Sequence, residues 1–274
     1  MVAVGVGVGV VVGVGVVVGV VVGVVVGVAV GVVVVVVVGV AVTMKIERLF
    51  IGVPAADGMI HDLFFESFLR SLKPLRERPE GKVTVDVRTC DIGWTACARN
   101  ELVHHARKSG ASHILQIDSD HGWEDPEIIL SLLVHAEAHG IDAIGCFYPS
   151  GFADEPLAEH VHQVIGPEEK AEFAKYPRAR VDWLPTGFLL TSLALYDRIE
   201  AACGGSSGPL EYLHKEKDGS MHERRFSFYQ YAISNRKELM GEDVWFSRVL
   251  GQMGEPMYKL VGTKIRHKKR VVYG

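Results

Sequence analysis

The sequence predicts an α/β domain, with a mostly parallel central sheet flanked by helices on both faces. Three observations predict it. Short apolar runs alternate with longer stretches whose apolar residues recur at helical spacing, the pattern of successive βαβ units. At least one run, Ile114-Leu115-Gln116-Ile117, is apolar almost throughout, as a strand covered on both faces must be. Glycines stand just past two helical stretches, at Gly110 and Gly140, where a left-handed cap closes a helix.

Each element follows from its own pattern. Ile46 to Val53 ends in the run Leu49-Phe50-Ile51-Gly52-Val53 and stops at Pro54, a first strand. Ile60 to Leu75 carries Leu63, Phe64, Phe68, Leu72 and Leu75 at helical spacing. Val83 to Val87 alternates as a second strand, and Thr95 to Lys108 is a second helix. The third strand, Ser112 to Ile117, ends at Asp118, and a third helix is expected from Pro126 to His139 with Pro126 in its first turn. Ile141 to Phe147 is a fourth strand. Beyond it, Pro149 to Arg180 is polar and helix-biased near Glu168 to Lys175, and Asp182 to Ser192 reads as a strand broken at Thr186-Gly187. Gly204 to Pro209 is a loop. Gly241-Glu242-Asp243 opens a last helix, Val244 to Met253, and Thr263 to His267 is strand-like.

Residues 1–43 stand apart. From Val2 to Val42 the chain contains only valine, glycine and alanine. Two readings stay open: a low-complexity extension outside the domain, or a membrane-attachment segment, since Gly15, Gly19, Gly23, Gly27 and Gly31 repeat at the four-residue spacing of close-packed membrane helices. A secretory signal fits poorly, because no charged start or defined cleavage site is present. Folding information begins at Met44, so residues 44–274 form one domain of about 230 residues. The net charge of -4 of the 274-residue chain belongs to that domain and leaves no electrostatic footprint for nucleic acid. Cys90, Cys97, Cys146 and Cys203 form no Cys-x-x-Cys pair, which argues against a zinc site or disulfide framework and for a reducing, cytoplasmic setting.

The chemistry concentrates at a few places. Asp118 and Asp120 follow a buried strand and precede a helix, at the sheet edge where open α/β folds bind ligands. Hard carboxylate oxygens there suit Mg²⁺ or Mn²⁺ beside phosphates. An EF-hand is excluded, because Asp120-His121-Gly122 does not continue its ligand series. Glu242 and Asp243 either complement a helix dipole or supply a general base at a cleft. Arg99 offers a fork of donors suited to phosphate or a base carbonyl. Gly187 sits inside an apolar run, a sign that something approaches the backbone closely.

Taken in order, these pieces resemble a glycosyltransferase of the GT-A (Rossmann-like) fold, closest to the family 2 group. The resemblance rests on the strand ending in Val53-Pro54, Ala98-Arg99-Asn100-Glu101-Leu102-Val103, Ile114-Leu115-Gln116-Ile117-Asp118-Ser119-Asp120 with its Asp-x-Asp motif, Thr186-Gly187-Phe188-Leu189-Leu190, Gly241-Glu242-Asp243-Val244-Trp245-Phe246, and His267. It implies a hexosyltransferase-like enzyme with a nucleotide-sugar donor, most often a UDP-sugar, an acceptor of unstated identity, and a divalent cation, Mn²⁺ or Mg²⁺. By the same resemblance Asp118 meets the ribose or the metal, Asp120 binds the metal, and His267 is a further metal or diphosphate contact. Pro54, Asp91 and Arg99 line the nucleotide pocket, Gly187 lies under the donor sugar or acceptor, and Asp243, with Glu242 beside it, is the base of an inverting transfer. Lys264, Arg266, Lys268 and Lys269 either add positive field near the phosphates or form a solvated basic tail.

Two alternatives use the same architecture. A sugar nucleotidyltransferase wants a glycine-rich, lysine-containing loop after the first strand, and Ala55-Ala56-Asp57-Gly58 has no lysine. A non-catalytic nucleotide-sugar-binding protein would keep the fold and lose the reaction.

Overall fold

The computed structural model describes residues 21–27, 33–39, 45–55, 58–78, 81–148, 174–203, 211–214, 223–233 and 239–267. The chain divides into two units, Met1–Met44 and Lys45–Gly274. In the first, β1 (Val21–Gly27) and β2 (Val33–Gly39) pair antiparallel, with Val24 opposite Val36. β-branched valines favour this pleated pairing over a helix. No helix among the described residues is long and apolar enough to cross a membrane.

In the second unit the order is β3 (Arg48–Pro54), α1 (Asp62–Glu77), β4 (Thr84–Cys90), α2 (Thr95–Ser109), β5 (His113–Ile117), β6 (His121–Trp123), α3 (Ile128–His139) and β7 (Ala143–Gly145). Then come β8 (Arg178–Val181), β9 (Phe188–Ser192), α4 (Leu193–Cys203), β10 (Glu211–His214), β11 (Glu223–Phe226), β12 (Ala232–Ile233), β13 (Leu239–Met240), α5 (Glu242–Met253), β14 (Met257–Leu260) and β15 (Ile265–His267). The central sheet has seven strands in the order β4-β3-β5-β9-β7-β14-β8. β9 and β8 run against the other five, so the sheet is mostly of one direction, as expected.

Period-two alternation divides the core between the two faces. Leu49, Ile51 and Val53 of β3 and Leu115 and Ile117 of β5 pack with α1 and α3 through Phe64, Leu75, Ile129 and Leu133. Phe50 and Ile114 point the other way, into a second core with Leu102, Val103, Tyr196, Phe246 and Leu250 from α2, α4 and α5. Each fully buried side chain of this size contributes about 1.5–3 kcal/mol. Gly52 lies on the second face, where an added Cβ would stand 3.1 Å from Leu102 Cβ. Its lack of a side chain brings α2, the helix that carries Arg99, close against the sheet.

Several elements depart from the sequence expectations. α3 begins at Ile128 rather than at Pro126, which lies in a turn where Glu127 N–H donates to Asp125 Oδ1. The strand expected over 182–192 is confined to β9, because Thr186 and Gly187 form a turn. α4 lies outside the expected elements. It starts without a loop because Ser192 Oγ, at the end of β9, accepts the Leu195 N–H. Strands β6, β8 and β14 were equally unmarked, being three or four residues long. The stretch 168–173 and the loop Gly204–Pro209 lie outside the described residues, and Ala174 and Lys175 are not helical. All four cysteines are free, with Cys146 buried in the core.

Because the core clusters among the described residues lie in the second unit, a chain that begins at Met44 is expected to unfold cooperatively with a melting temperature within a few degrees of the full chain. Circular dichroism on both chains checks this; loss of cooperative unfolding in the shorter one would show that the valine-glycine tract helps hold the domain.

Candidate functional site

The C-terminal ends of β3, β4 and β5 share one edge of the sheet, and β5 delivers Asp118 there. α2 faces the same edge and brings up Arg99, whose side chain is 1% exposed. Arg99 Nη2 donates to Asp118 Oδ1 at 2.6 Å. Nη1 donates to the Thr186 carbonyl at 3.1 Å and to Gln116 Oε1 at 3.3 Å. Nε approaches Glu242 Oε1 at 3.5 Å, an ion pair without hydrogen-bond geometry. Burial alone would favour a neutral guanidine, but Asp118 and Glu242 outweigh it and hold Arg99 charged. Arg99, expected to line a nucleotide pocket, directs both terminal nitrogens to partners within the protein, with Nε beside Glu242. It ties the end of β5 to the start of α5.

The next residue performs a parallel task. Asn100 Oδ1 accepts the N–H groups of Phe228 and Tyr229, and its Nδ2 donates to the Tyr229 carbonyl and Ser227 Oγ. Behind both lies a buried polar chain. Gln116 Nε2 donates to the hydroxyls of Tyr196 and Tyr229, which bond each other at 2.6 Å, and Thr191 Oγ1 donates to Tyr196. A fully connected network of this kind rigidifies what it touches.

Gly187 lies against this cluster. Its carbonyl accepts the Asp118 N–H at 3.0 Å, and its N–H donates to the Tyr148 hydroxyl at 3.1 Å. A Cβ on Gly187 would come within 2.5 Å of both Asp118 Oδ2 and the Tyr148 oxygen. The close approach expected at this glycine is therefore made by the protein's own side chains. Burial, then the Asp118 carboxylate, push the Tyr148 hydroxyl well above its ordinary pKa, with Asp243 adding to the effect. Asp243, in the first turn of α5, accepts the Val244 N–H at 2.7 Å. Burial raises its pKa, and the neighbouring Glu242 charge adds to that. A carboxylate held this way is a stronger base than an exposed one.

A second cluster adjoins the first through Tyr148. β15 pairs antiparallel with β6 in a register that sets His267 opposite His121. Their rings stack at 4.7 Å, and the Tyr148 ring meets His121 edge-on at 4.2 Å. Asp120 Oδ1 bonds His121 Nδ1 at 2.9 Å and Oδ2 bonds His267 Nε2 at 3.0 Å. Burial pushes the Asp120 carboxyl up, but the hydrogen bonds to the two histidines outweigh it and hold it well below the usual carboxylate range. β6 is anchored on α1: Trp123 N–H and Nε1–H donate to Ser67 Oγ and Ser71 Oγ, and Gly122 leaves room for Leu63. One donor atom from each of Asp120, His121 and His267 lies within 4.8 Å of the others. His121 Nε2 is buried and has no hydrogen-bond partner. Two imidazoles and a carboxylate with an unsatisfied buried nitrogen are a donor set that fits a divalent cation.

The residues singled out in the sequence are distributed as follows. Asp118, Arg99, Glu242, Asp243 and Gly187 come together at one edge, with Asp120 and His267 in the adjoining cluster. Asp118, expected among the metal ligands, stands outside that trio, with Oδ1 held by Arg99. Pro54 and Asp91 end β3 and follow β4 at the same edge, and no hydrogen bond or ion pair among the described residues joins them to the cluster. Arg266 pairs with Glu124, and Lys268 and Lys269 lie outside the described residues. His121 and Tyr148 were not singled out. The sequence signal for His121 was its place directly after the Asp-x-Asp motif.

No protein-family model matches the chain, and no curated protein sequence matches it. Among solved structures it is similar to A197 from STIV, at 13% identity over 81% of this chain and 86% of that one, with a TM-score of 0.38. It is also similar to residues 1–349 of TarS from S. aureus, at 13% identity and a TM-score of 0.36, covering 57% of this chain and about half (49%) of that one. A glycosyltransferase involved in the glycosylation of the major capsid of PBCV-1 is similar at 8% identity and a TM-score of 0.29, over 58% and 68% of the two chains. These are distant likenesses and assign no activity to this chain.

The environment of Asp243 has a consequence for stability. Its folded pKa is raised, so between the ordinary carboxylate pKa and that raised value the folded chain keeps a proton the unfolded chain has released. Stability therefore falls as pH rises through that window, and the penalty persists above it. Asp243→Asn is expected to melt higher than the wild type at pH 7, and the gap to close as pH falls through the ordinary carboxylate range. Melting temperatures of the two proteins across that range check the sign.

Proposed function

We propose that the chain is a metal-dependent glycosyltransferase that moves a sugar from a nucleotide sugar, a UDP-sugar in the first instance, to an acceptor hydroxyl with inversion at the anomeric carbon. The observation that carries this reading is the convergence on one sheet edge of a half-buried carboxylate of raised pKa, Asp243, whose neighbour Glu242 pairs with Arg99 beside Asp118, and a donor cluster of Asp120, His121 and His267 that adjoins Asp118 through Tyr148 and Gly187. A base and a cation site side by side are what displacement at an anomeric carbon, with a diphosphate leaving group, requires.

Asp120 and His267 would hold the cation, with His121 beside them. When bound, it supplies charge neutralisation on the leaving diphosphate. Asp243 accepts the proton of the acceptor hydroxyl as that oxygen bonds to the anomeric carbon. The bond from that carbon to the diphosphate oxygen breaks, and the nucleoside diphosphate departs with the electron pair. Arg99 fixes Asp118 and Glu242 in place through its bond to Asp118 Oδ1 and its ion pair with Glu242, so Asp118 Oδ2 is presented at the edge for the ribose. Gly187 keeps that oxygen and the Tyr148 hydroxyl uncovered.

The test is a panel of sugar nucleotides, each assayed for donor hydrolysis and transfer with and without chelator. The wild type is expected to turn over at least one donor in a chelator-sensitive way. Asp243→Asn is expected to lower turnover about 10²–10⁴-fold with nucleotide binding retained, and Asp120→Ala to abolish the metal-dependent part. Wild-type turnover in Asp243→Asn would remove that residue as the base. Nucleotide-sugar binding with no turnover of any donor would make the chain a non-catalytic binding protein.

A further inference from the structure

We infer that two copies of this chain join edge to edge through β4, pairing antiparallel about a two-fold axis at Val87. The inference concerns assembly and does not depend on the transfer reaction. Among the described residues β4 pairs with β3 on one side and with no strand on the other. Such an edge is a template for another chain, and soluble proteins blunt it with short strands, charge, proline or a bulge. The opposite edge follows that rule: β8 has four residues, two of them arginines. β4 does not. It is seven residues long, Thr84-Val85-Asp86-Val87-Arg88-Thr89-Cys90, with no proline or lysine. Its register with β3 runs unbroken from Arg48 opposite Thr84 to Pro54 opposite Cys90, so no bulge turns it away. None of its residues is buried, and Val87 is 44% exposed.

The backbone fixes which residues face outward. The Thr84 N–H donates to the Glu47 carbonyl, and the Cys90 carbonyl accepts the Ala55 N–H, both at 2.8 Å. Thr84, Asp86, Arg88 and Cys90 therefore turn their backbone groups toward β3, and Val85, Val87 and Thr89 turn theirs away from it. In an antiparallel pair, opposed outward residues exchange both hydrogen bonds. An axis through Val87 satisfies all three: Val87 bonds the partner's Val87, and Val85 bonds the partner's Thr89 in both directions. An axis one residue earlier or later would set inward-facing groups against each other. The same axis brings Asp86 opposite the partner's Arg88, twice, at the closely spaced positions where cross-strand side chains meet. Like charges there would repel; these are opposite in sign and flank the axis, so the strand is complementary to itself. The only printed partner of Asp86 is Arg48, at 3.7 Å on half-exposed side chains, a weak surface pair that leaves the carboxylate open to a second cation. Val87 meets its own copy across the axis, which covers an exposed β-branched side chain.

The experiment measures the mass of the full chain by sedimentation across a range of concentrations. The wild type is expected to pass reversibly from monomer to dimer. Asp86→Arg and Arg88→Asp are each expected to weaken the dimer at least about tenfold, because both cross-strand pairs become repulsive. The double variant, with the two charges exchanged, is expected to recover it. An equal mixture of the two single variants is expected to form mixed dimers, since one chain then offers two positive charges and the other two negative. Thr84→Cys, which faces the partner's Cys90 in this register, is expected to give a disulfide-linked dimer under mild oxidation, and adding Cys90→Ser to abolish it. Thermal melts identify any variant that is unfolded, and the wild-type mass stands without them. A wild type that stays monomeric at every concentration would overturn the inference. So would a dimer that ignores both charge reversals, or one cross-linked at other cysteines, since either would place the contact on another surface.

Discussion

The arrangement of this site depends on one buried cation. Removing a guanidinium and a carboxylate from water costs several kcal/mol per ion, and the interior returns that only when the charges meet and the remaining donors are satisfied. Arg99 offsets that cost by donating to Asp118, Thr186 and Gln116 and by pairing with the Glu242 carboxylate, although Nε itself makes no hydrogen bond. Those partners come from the end of β5, the turn before β9 and the first turn of α5. A single side chain therefore fixes three separate segments to each other, and the carboxylates at the sheet edge have little freedom to rearrange.

The cation cluster is held by a different device. Neither β6 nor β15 belongs to the central sheet; among the described residues they pair with each other and with no other strand. What stops that small ribbon from drifting is α1, through the two serines that receive the Trp123 N–H groups and the close contact at Gly122. Tyr148 joins the clusters, with its hydroxyl on Gly187 and its ring edge on His121. A change in the ribbon would thus be felt at Gly187, and through it at Asp118.

Much of the scaffold was legible because its signals are local. Ile114, Leu115 and Ile117 mark β5 as buried on both faces, and Gly110, Gly140 and Gly254 adopt the left-handed conformation that closes α2, α3 and α5. What could not be read depends on distant pairing. β6 is three residues with a central glycine, too short to show a period, so the pairing that sets His121 opposite His267 left no local trace, and Asp120 and His267, 147 residues apart in sequence, were grouped by the resemblance alone. The internal partners of Arg99 were hidden for the same reason, since a buried arginine and a phosphate-binding arginine look alike in sequence. α4 was missed because Ser192 serves as both strand end and helix cap, leaving no loop to mark the change.

The most direct test of this account is a double-mutant cycle between Arg99 and Asp118, read by denaturant unfolding. Arg99→Met is predicted to lose about 3–5 kcal/mol, because it removes a buried guanidinium and leaves the half-buried Asp118 and Glu242 carboxylates and the Thr186 carbonyl without their partner. Adding Asp118→Asn is predicted to cost less than the sum of the single changes, by about 0.5–3 kcal/mol. Strictly additive losses, or an Arg99→Met protein as stable as the wild type, would contradict the claim that this guanidinium holds the site together.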